Sequence, residues 1–362
     1  AGTSNTRVGV NAGNSIASGG NYNVFVGDEA GTATTTGDNN VAIGYAALDA
    51  ATASSNLTAV GYNALTALTA TGDRLDTAVG AQALAALTDG FHNVAVGYAS
   101  LDALTHGERN IAVGRNALGS DTKGNYNTAI GDSALATQNF TSDTDVYNTA
   151  VGYKAGIIVS TGIENTLIGA QAGDALTDAD FNTAVGYRAL TTDTLGNRST
   201  AIGYNALQTQ NFTSATETHN SAVGFFAGTA IQTGTHNSIL GSNSGAAVTT
   251  GTHNVLVGSY AGAGGVGNLL TGLRNILIGH GAGQNNGDDS DNIAIGYDAG
   301  TALTTGESNV AIGLSSLLAV TGGSNNVAIG HRTLRVQNTG IADNVAIGSA
   351  AGSALTTGTK CV

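Results

Sequence analysis

A short aliphatic run closed by glycine recurs twenty times along this chain, and its spacing leaves little choice of architecture. The anchoring glycines run from Gly9, Gly27 and Gly44 to Gly330 and Gly348. Thirteen of the nineteen gaps are 17 residues, two are 18, one is 19 and three are 21. A period this short, sustained from end to end, predicts a solenoid in which each repeat is one coil. Positions below are counted from the anchoring glycine of each coil.

The columns of the repeat each carry a physical requirement. Position −1 is always aliphatic, and position −3 is Thr, Val or Ile except at Ser221 and Ser238. Apolar and β-branched residues two apart within so short a run indicate a strand. Position −4 is Asn in seventeen of twenty coils, with Leu57, Asp76 and Ser199 as the exceptions. Stacked at roughly 4.8 Å, those amides can hydrogen-bond from coil to coil. The repeat is represented by Asn40 with Gly44, Asn127 with Gly131, Asn182 with Gly186, and Asn326 with Gly330. Glycine lets the chain turn there without a Cβ clash. Position +3 is Ala in sixteen coils and +4 is Gly or Leu, ten of each, predicting a return strand or arc. Thr- and Gly-rich segments such as 35–37 and 304–306 are surface turns.

The predicted fold class is therefore all-β, a parallel β-solenoid of about twenty coils. With no break in composition, residues 1–362 read as a single repeat domain, a continuous solenoid cut from a longer fibre. Pro, Met and Trp are absent and aromatic residues make up 5%, so stability must accumulate coil by coil.

Strand parity assigns the faces. If the aliphatic residue at −1 points into the coil, then −2 points outward. Position −2 is Ala in fourteen coils, and a strand apolar on both faces is buried on both. Ala42, Ala95, Ala129, Ala184 and Ala311 are therefore the expected contacts with identical chains.

Segments such as 40–44 (NVAIG), 127–131 (NTAIG) and 326–330 (NVAIG) resemble the head repeats of trimeric autotransporter adhesins, the YadA-like family. The fuller unit, residues 182–190 (NTAVGYRAL), is similar to repeats in bacteriophage tail fibres. The resemblance implies a left-handed β-roll, a homotrimer and an extracellular location, on a cell or virion surface. This repeat departs from the adhesin heads in length, being longer by an extended turn.

Chemistry-bearing constellations are sparse. His219, His236 and His253 occupy position −5 of three consecutive coils, a row that would suit either an exposed turn or a metal- or pH-responsive site. Tyrosines at +1, such as Tyr45, Tyr62, Tyr187 and Tyr204, suggest ring stacking or a carbohydrate track. Asp288, Asp289 and Asp291 lack the ordered spacing of a calcium loop. No nucleophile elbow or phosphate loop occurs, so neither catalysis nor a cofactor is expected. A formal net charge of −13 argues against nucleic acid and anionic membranes as partners, and no apolar run reaches membrane-spanning length.

The 21-residue gaps carry insertions, two of them nearly identical: 137–142 and 209–214, both TQNFTS, within two consecutive blocks of 17, 17, 17 and 21 residues. Phe140, Phe212 and Leu269 are the candidate contact residues on these loops, the alternative for the two phenylalanines being to tuck back over the coil. The function expected from all this is a non-enzymatic fibre or adhesin segment, reaching toward a host-cell or other surface receptor, a glycan being one candidate. The alternative is an ice-binding or carbohydrate-binding or carbohydrate-active solenoid. Against ice binding stands a Thr column mixed with Val and Ile and expected to face inward.

Overall fold

The structure is a computed structural model that describes residues 2–264, 270–285, 287–335, 342–355 and 360. Its described residues form an all-β parallel solenoid of about 19 turns of roughly 17 residues, without a helix. Two compact units divide the chain, Ala1–Asp180 and Phe181–Val362. Each holds ten three-residue strands of the main repeat among its described residues, from Thr6–Val8 to Thr166–Ile168 and from Thr183–Val185 to Val345–Ile347.

Within each unit successive strands pair in parallel with like columns opposed. In the first, Val41, Ala42 and Ile43 face Thr58, Ala59 and Val60; in the second, Val310, Ala311 and Ile312 face Val327, Ala328 and Ile329. Of the return strand or arc expected after the glycine, the described residues hold the arc. It is built of turns whose N–H groups bond to neighbouring coils, as Ala46 does to Asp28 O at 3.1 Å and Leu48 to Ala64 O at 3.0 Å.

The anchoring glycines are required twice over. Gly44 has φ 130° and Gly131 φ 140°, a region L side chains rarely enter. A Cβ on Gly44 would also lie 2.5 Å from the carbonyl oxygen of Gly61.

The Asn column forms the predicted ladder inside the coil. Asn127 N donates to Asn110 Oδ1 at 2.9 Å, and Asn127 Nδ2 to the same atom at 3.1 Å. Asn110 Nδ2 in turn closes onto Gly124 O at 2.8 Å. Asn40, Asn182 and Asn326 are likewise buried in this column, with Asn40 Nδ2 on Ser54 O at 2.8 Å and Asn182 Nδ2 on Gly196 O at 2.9 Å. Asn326 N bonds to Asn309 Oδ1 at 3.0 Å.

The faces of the strand are the reverse of those expected. Ala42, Ala95, Ala129, Ala184 and Ala311 are all 0% exposed within the single chain, so they line the coil interior and are unavailable to a partner. The aliphatic residues at −1 point outward, Ile43 and Ile130 each 40% exposed. The physical reason is volume. Position −2 packs against +4, and wherever +4 is Leu, −2 is Ala. Where −2 is bulky, +4 is Gly: a Cβ on Gly173 would lie 2.7 Å from Leu167 Cδ2, and one on Gly31 2.7 Å from the Phe25 ring. A further inward column at +7 supplies Leu68, Leu87, Leu104 and Leu176.

This complementarity predicts coupling. Gly173→Leu alone should cost ~1–3 kcal/mol by overpacking against Leu167. Combined with Leu167→Ala, which alone costs ~2–5 kcal/mol, it should recover much of the loss. Thermal unfolding of the two single variants and the double variant measures the coupling, and strict additivity would contradict the packing scheme.

Candidate functional surface

The outward side of each unit is a sheet face built from columns −3 and −1. None of these positions in any coil is charged. In the first unit they pass through Val41 and Ile43, Ile111 and Val113, and Thr128 and Ile130, all half-buried or exposed. In the second, Ser238 and Leu240 are both exposed. The face offers methyl groups and isolated hydroxyls, which suit contact rather than proton or group transfer.

Two aromatic-rich columns border the strand in sequence. At +1, Tyr45 stacks on Tyr62 with centroids 5.8 Å apart, and Tyr187 on Tyr204 at 5.4 Å. At −5, Tyr126 stacks on Tyr147 at 5.0 Å, and Arg109 extends the row, lying over Tyr126 and over Phe91 at −6. Rings that cover one another's faces along the row present mainly edges and hydroxyls outward. Within these stacked runs the faces between neighbouring rings are occupied, and among the described residues no partner ring covers the outer faces of Tyr45 and Tyr62.

The three histidines do line up. His219 and His236 have centroids 5.0 Å apart, and His236 and His253 stack at 4.7 Å with an 8° interplanar angle. Parallel rings direct their nitrogen lone pairs side by side rather than toward one point. Consistent with that, no group of three or more metal-ligating side chains is assembled among the described residues. His219 Nε2 lies 3.9 Å from Glu217. Desolvation, followed by the fields of His253 and His219, holds His236 below the usual imidazole range. Replacing His219 and His253 with Asn should therefore raise the His236 titration midpoint without abolishing the desolvation effect. Imidazole NMR titration checks this, and an unmoved midpoint would mean that the row does not interact.

The acidic loop diverges instead of converging. Asp288 accepts from Thr271 Oγ1 at 2.6 Å, and Asp291 takes Arg274 in a two-pronged pair at 2.6 and 2.8 Å. Asp289 turns inward, where burial pushes its carboxyl up to about 6.

Of the two readings of the insertions, the structure takes the one in which the phenylalanines tuck back over the coil. Phe140 and Phe212 are buried, at 8% and 7% exposure, so neither is a projecting contact. Leu269 lies outside the described residues. What pulls the loops down is a polar replacement in the inward +7 column, Asp121 below Gln138 and Asp193 below Gln210. Gln138 Nε2 donates to Asp121 Oδ2 at 2.6 Å, while Asp121 Oδ1 accepts from Phe140 N at 3.2 Å and Gly124 N at 3.1 Å. Gln138 Oε1 then takes Asn148 Nδ2 at 2.8 Å, joining the network to the amide ladder. The second block repeats the arrangement, with Gln210 on Asp193 at 2.5 Å and Phe212 N on the same carboxylate at 3.0 Å. Short extra strands accompany each, Gly124–Asn125 with Thr144–Asp145 and Gly196–Asn197 with Thr216–Glu217. The residues that project are polar or small: Thr141, Ser142 and Asp143, and Thr213, Ser214 and Ala215. The Asp–Gln pair at +7 was visible in the sequence as a charged interruption of an apolar column.

Asp121→Ala would orphan three donors at once. At ~1–3 kcal/mol for each buried unsatisfied group, the loss should exceed that of a surface Asp143→Ala control by several-fold in thermal unfolding. Proteolytic nicking of residues 137–145 should rise with it; equal stability of the two variants would show that the carboxylate does not hold the loop.

No family model matches the chain, and no curated protein matches it significantly.

Proposed function

We propose that this chain is a non-enzymatic structural segment of an extracellular fibre, associating with identical copies and providing reach and attachment to a surface. The observation that carries the proposal is the uncharged sheet face at −3 and −1 in each unit, apolar along most of its length and open in the single chain. Ten strands at ~4.8 Å and two side-chain columns give roughly 500 Å² per unit. With the bordering aromatic columns the area approaches the ~800 Å² per partner of stable complexes. A trimer is the assembly that the resemblance to adhesin heads implies. Attachment would then be the sum of many weak contacts along a repeated surface, on a cell-surface or other receptor, a glycan included.

One observation favours a second reading. Thr128, Thr149 and Thr166 lie on the outward face, each two residues before an aliphatic neighbour, so the column expected to face inward is open to solvent. Such ranks of hydroxyl and methyl groups are the kind of surface that ice binding uses. The interruption of the Thr column by Val and Ile weighs against it.

Self-association is tested by light scattering and sedimentation. Ile130→Glu with Ile168→Glu should dissociate the assembly while leaving the coil folded, because these side chains are exposed in the single chain. Ala129→Glu should instead unfold it. A monomeric unmodified protein over a wide concentration range would refute association, and inhibition of ice recrystallisation by that monomer would favour the second reading.

A further inference from the structure

In two adjacent coils the amide ladder departs from asparagine, at Leu57 and Asp76, and the chemistry there points to a proton. Leu57 has no side-chain oxygen to continue the ladder after Asn40, whose Oδ1 accepts Leu57 N at 3.1 Å. In the next coil the ladder resumes with a carboxylate. Asp76 Oδ1 accepts from Asn93 N at 2.8 Å and Nδ2 at 3.1 Å, as an Asn would. Its other oxygen, Oδ2, stands where an Asn carries its amide nitrogen, and it is buried with no hydrogen-bond partner. In this column that nitrogen donates to the carbonyl fourteen residues ahead, Asn93 Nδ2 to Gly107 O and Asn110 Nδ2 to Gly124 O. The equivalent acceptor for Asp76 is Gly90 O.

We propose that Asp76 is a proton-operated break in the ladder. Protonated on Oδ2, it donates to the Gly90 carbonyl and completes the column; ionised, it sets a buried negative charge toward a carbonyl oxygen and loosens the coils on either side.

The surroundings do not neutralise the charge by other means. Arg74, on the same segment, directs Nη1 to Asp89 at 3.0 Å, and its buried Nε has no partner. Asp73 lies exposed and takes Asn56 Nδ2 at 2.9 Å. His92, exposed beside Asn93, bonds to Arg74 O through its backbone N–H. Leu57 brings no charge from the coil before, and Asn93 only an amide from the coil after. Burial dominates and pushes the carboxyl up to about 7, against the hydrogen bonds from Asn93 and the field of Arg74. The native state therefore keeps its proton where the unfolded chain, near the ordinary carboxyl value of 3.8, has lost it. Stability contributed here falls as pH rises from about 4 through about 7 and is level beyond.

Hydrogen exchange on the full chain, corrected for intrinsic rates, tests this between pH about 5.5 and about 8. Exchange in Thr58–Val60 and Thr77–Val79 should accelerate by about tenfold or more over that interval, while Ile111–Val113 does not respond. Asp76→Asn should remove the pH dependence and keep both strands slow. Flat exchange in the unmodified protein, or the same pH dependence in Asp76→Asn, would overturn the proposal. Carboxyl NMR of the unmodified protein is independent of whether the variant folds. A midpoint near 7, raised further by Arg74→Met, supports the proton; a midpoint near 4 that rises only in Arg74→Met indicates an ion pair and overturns it.

Discussion

Hydrogen bonding between backbones of successive coils is the constraint from which the other features follow. It fixes the distance from one coil to the next at a strand spacing, so each side chain meets its own column above and below. At the anchoring position that distance leaves no room for a Cβ, since the carbonyl of the next glycine occupies the space. At −4 it brings one amide within reach of the next, and the bonds that result satisfy polar groups that would otherwise be buried without partners. At −2 and +4 it encloses a volume that two side chains must share. Tyrosines stack at +1, and histidines at −5, for the same reason.

Much of this was legible before any coordinates. The period, the strand, the glycine at its end and the Asn ladder each follow from a column of residues with one physical explanation. The assignment of faces does not follow so simply, because a three-residue strand with apolar residues at every position has two self-consistent parities. Treating Val and Ile at −1 as core and Ala at −2 as surface was one of them. The information that decides between them lies in pairs of columns. Leu48 accompanies Ala42, Gly31 accompanies Phe25, and Gly173 accompanies Leu167, an exchange of size that only an enclosed space demands. Once −2 is inside, the open faces of Ile43 and Ile130 are unavoidable.

The insertions show the same limit. Extra residues between coils do suggest a protruding loop, and an aromatic residue within one suggests either a contact or a tuck back over the coil. Where Phe140 goes, however, is decided by Asp121 in the preceding coil, whose carboxylate collects the Phe140 N–H and the Gln138 amide together. That relation spans 19 residues and is visible only when the chain is written coil under coil. The projecting surface is then the polar tip beyond it, and the apolar surface of the molecule is on the sheet face instead.

Backbone strain recurs with the repeat. Positions +2, +4 and −5 hold left-handed conformations in coil after coil, often in residues with full side chains: Leu48 at φ 57°, Arg109 at 55°, His253 at 60°. Such conformations are unfavourable for an L residue by ~1–2 kcal/mol each, and a coil standing alone has nothing to offset them. A coil already formed supplies the hydrogen-bond donors and acceptors that do. Assembly of this kind resembles growth on a crystal face: the first layers are hard to form, and each later one is laid down on a finished template that dictates its shape. A chain built this way would extend readily from an existing edge while seldom starting a new one.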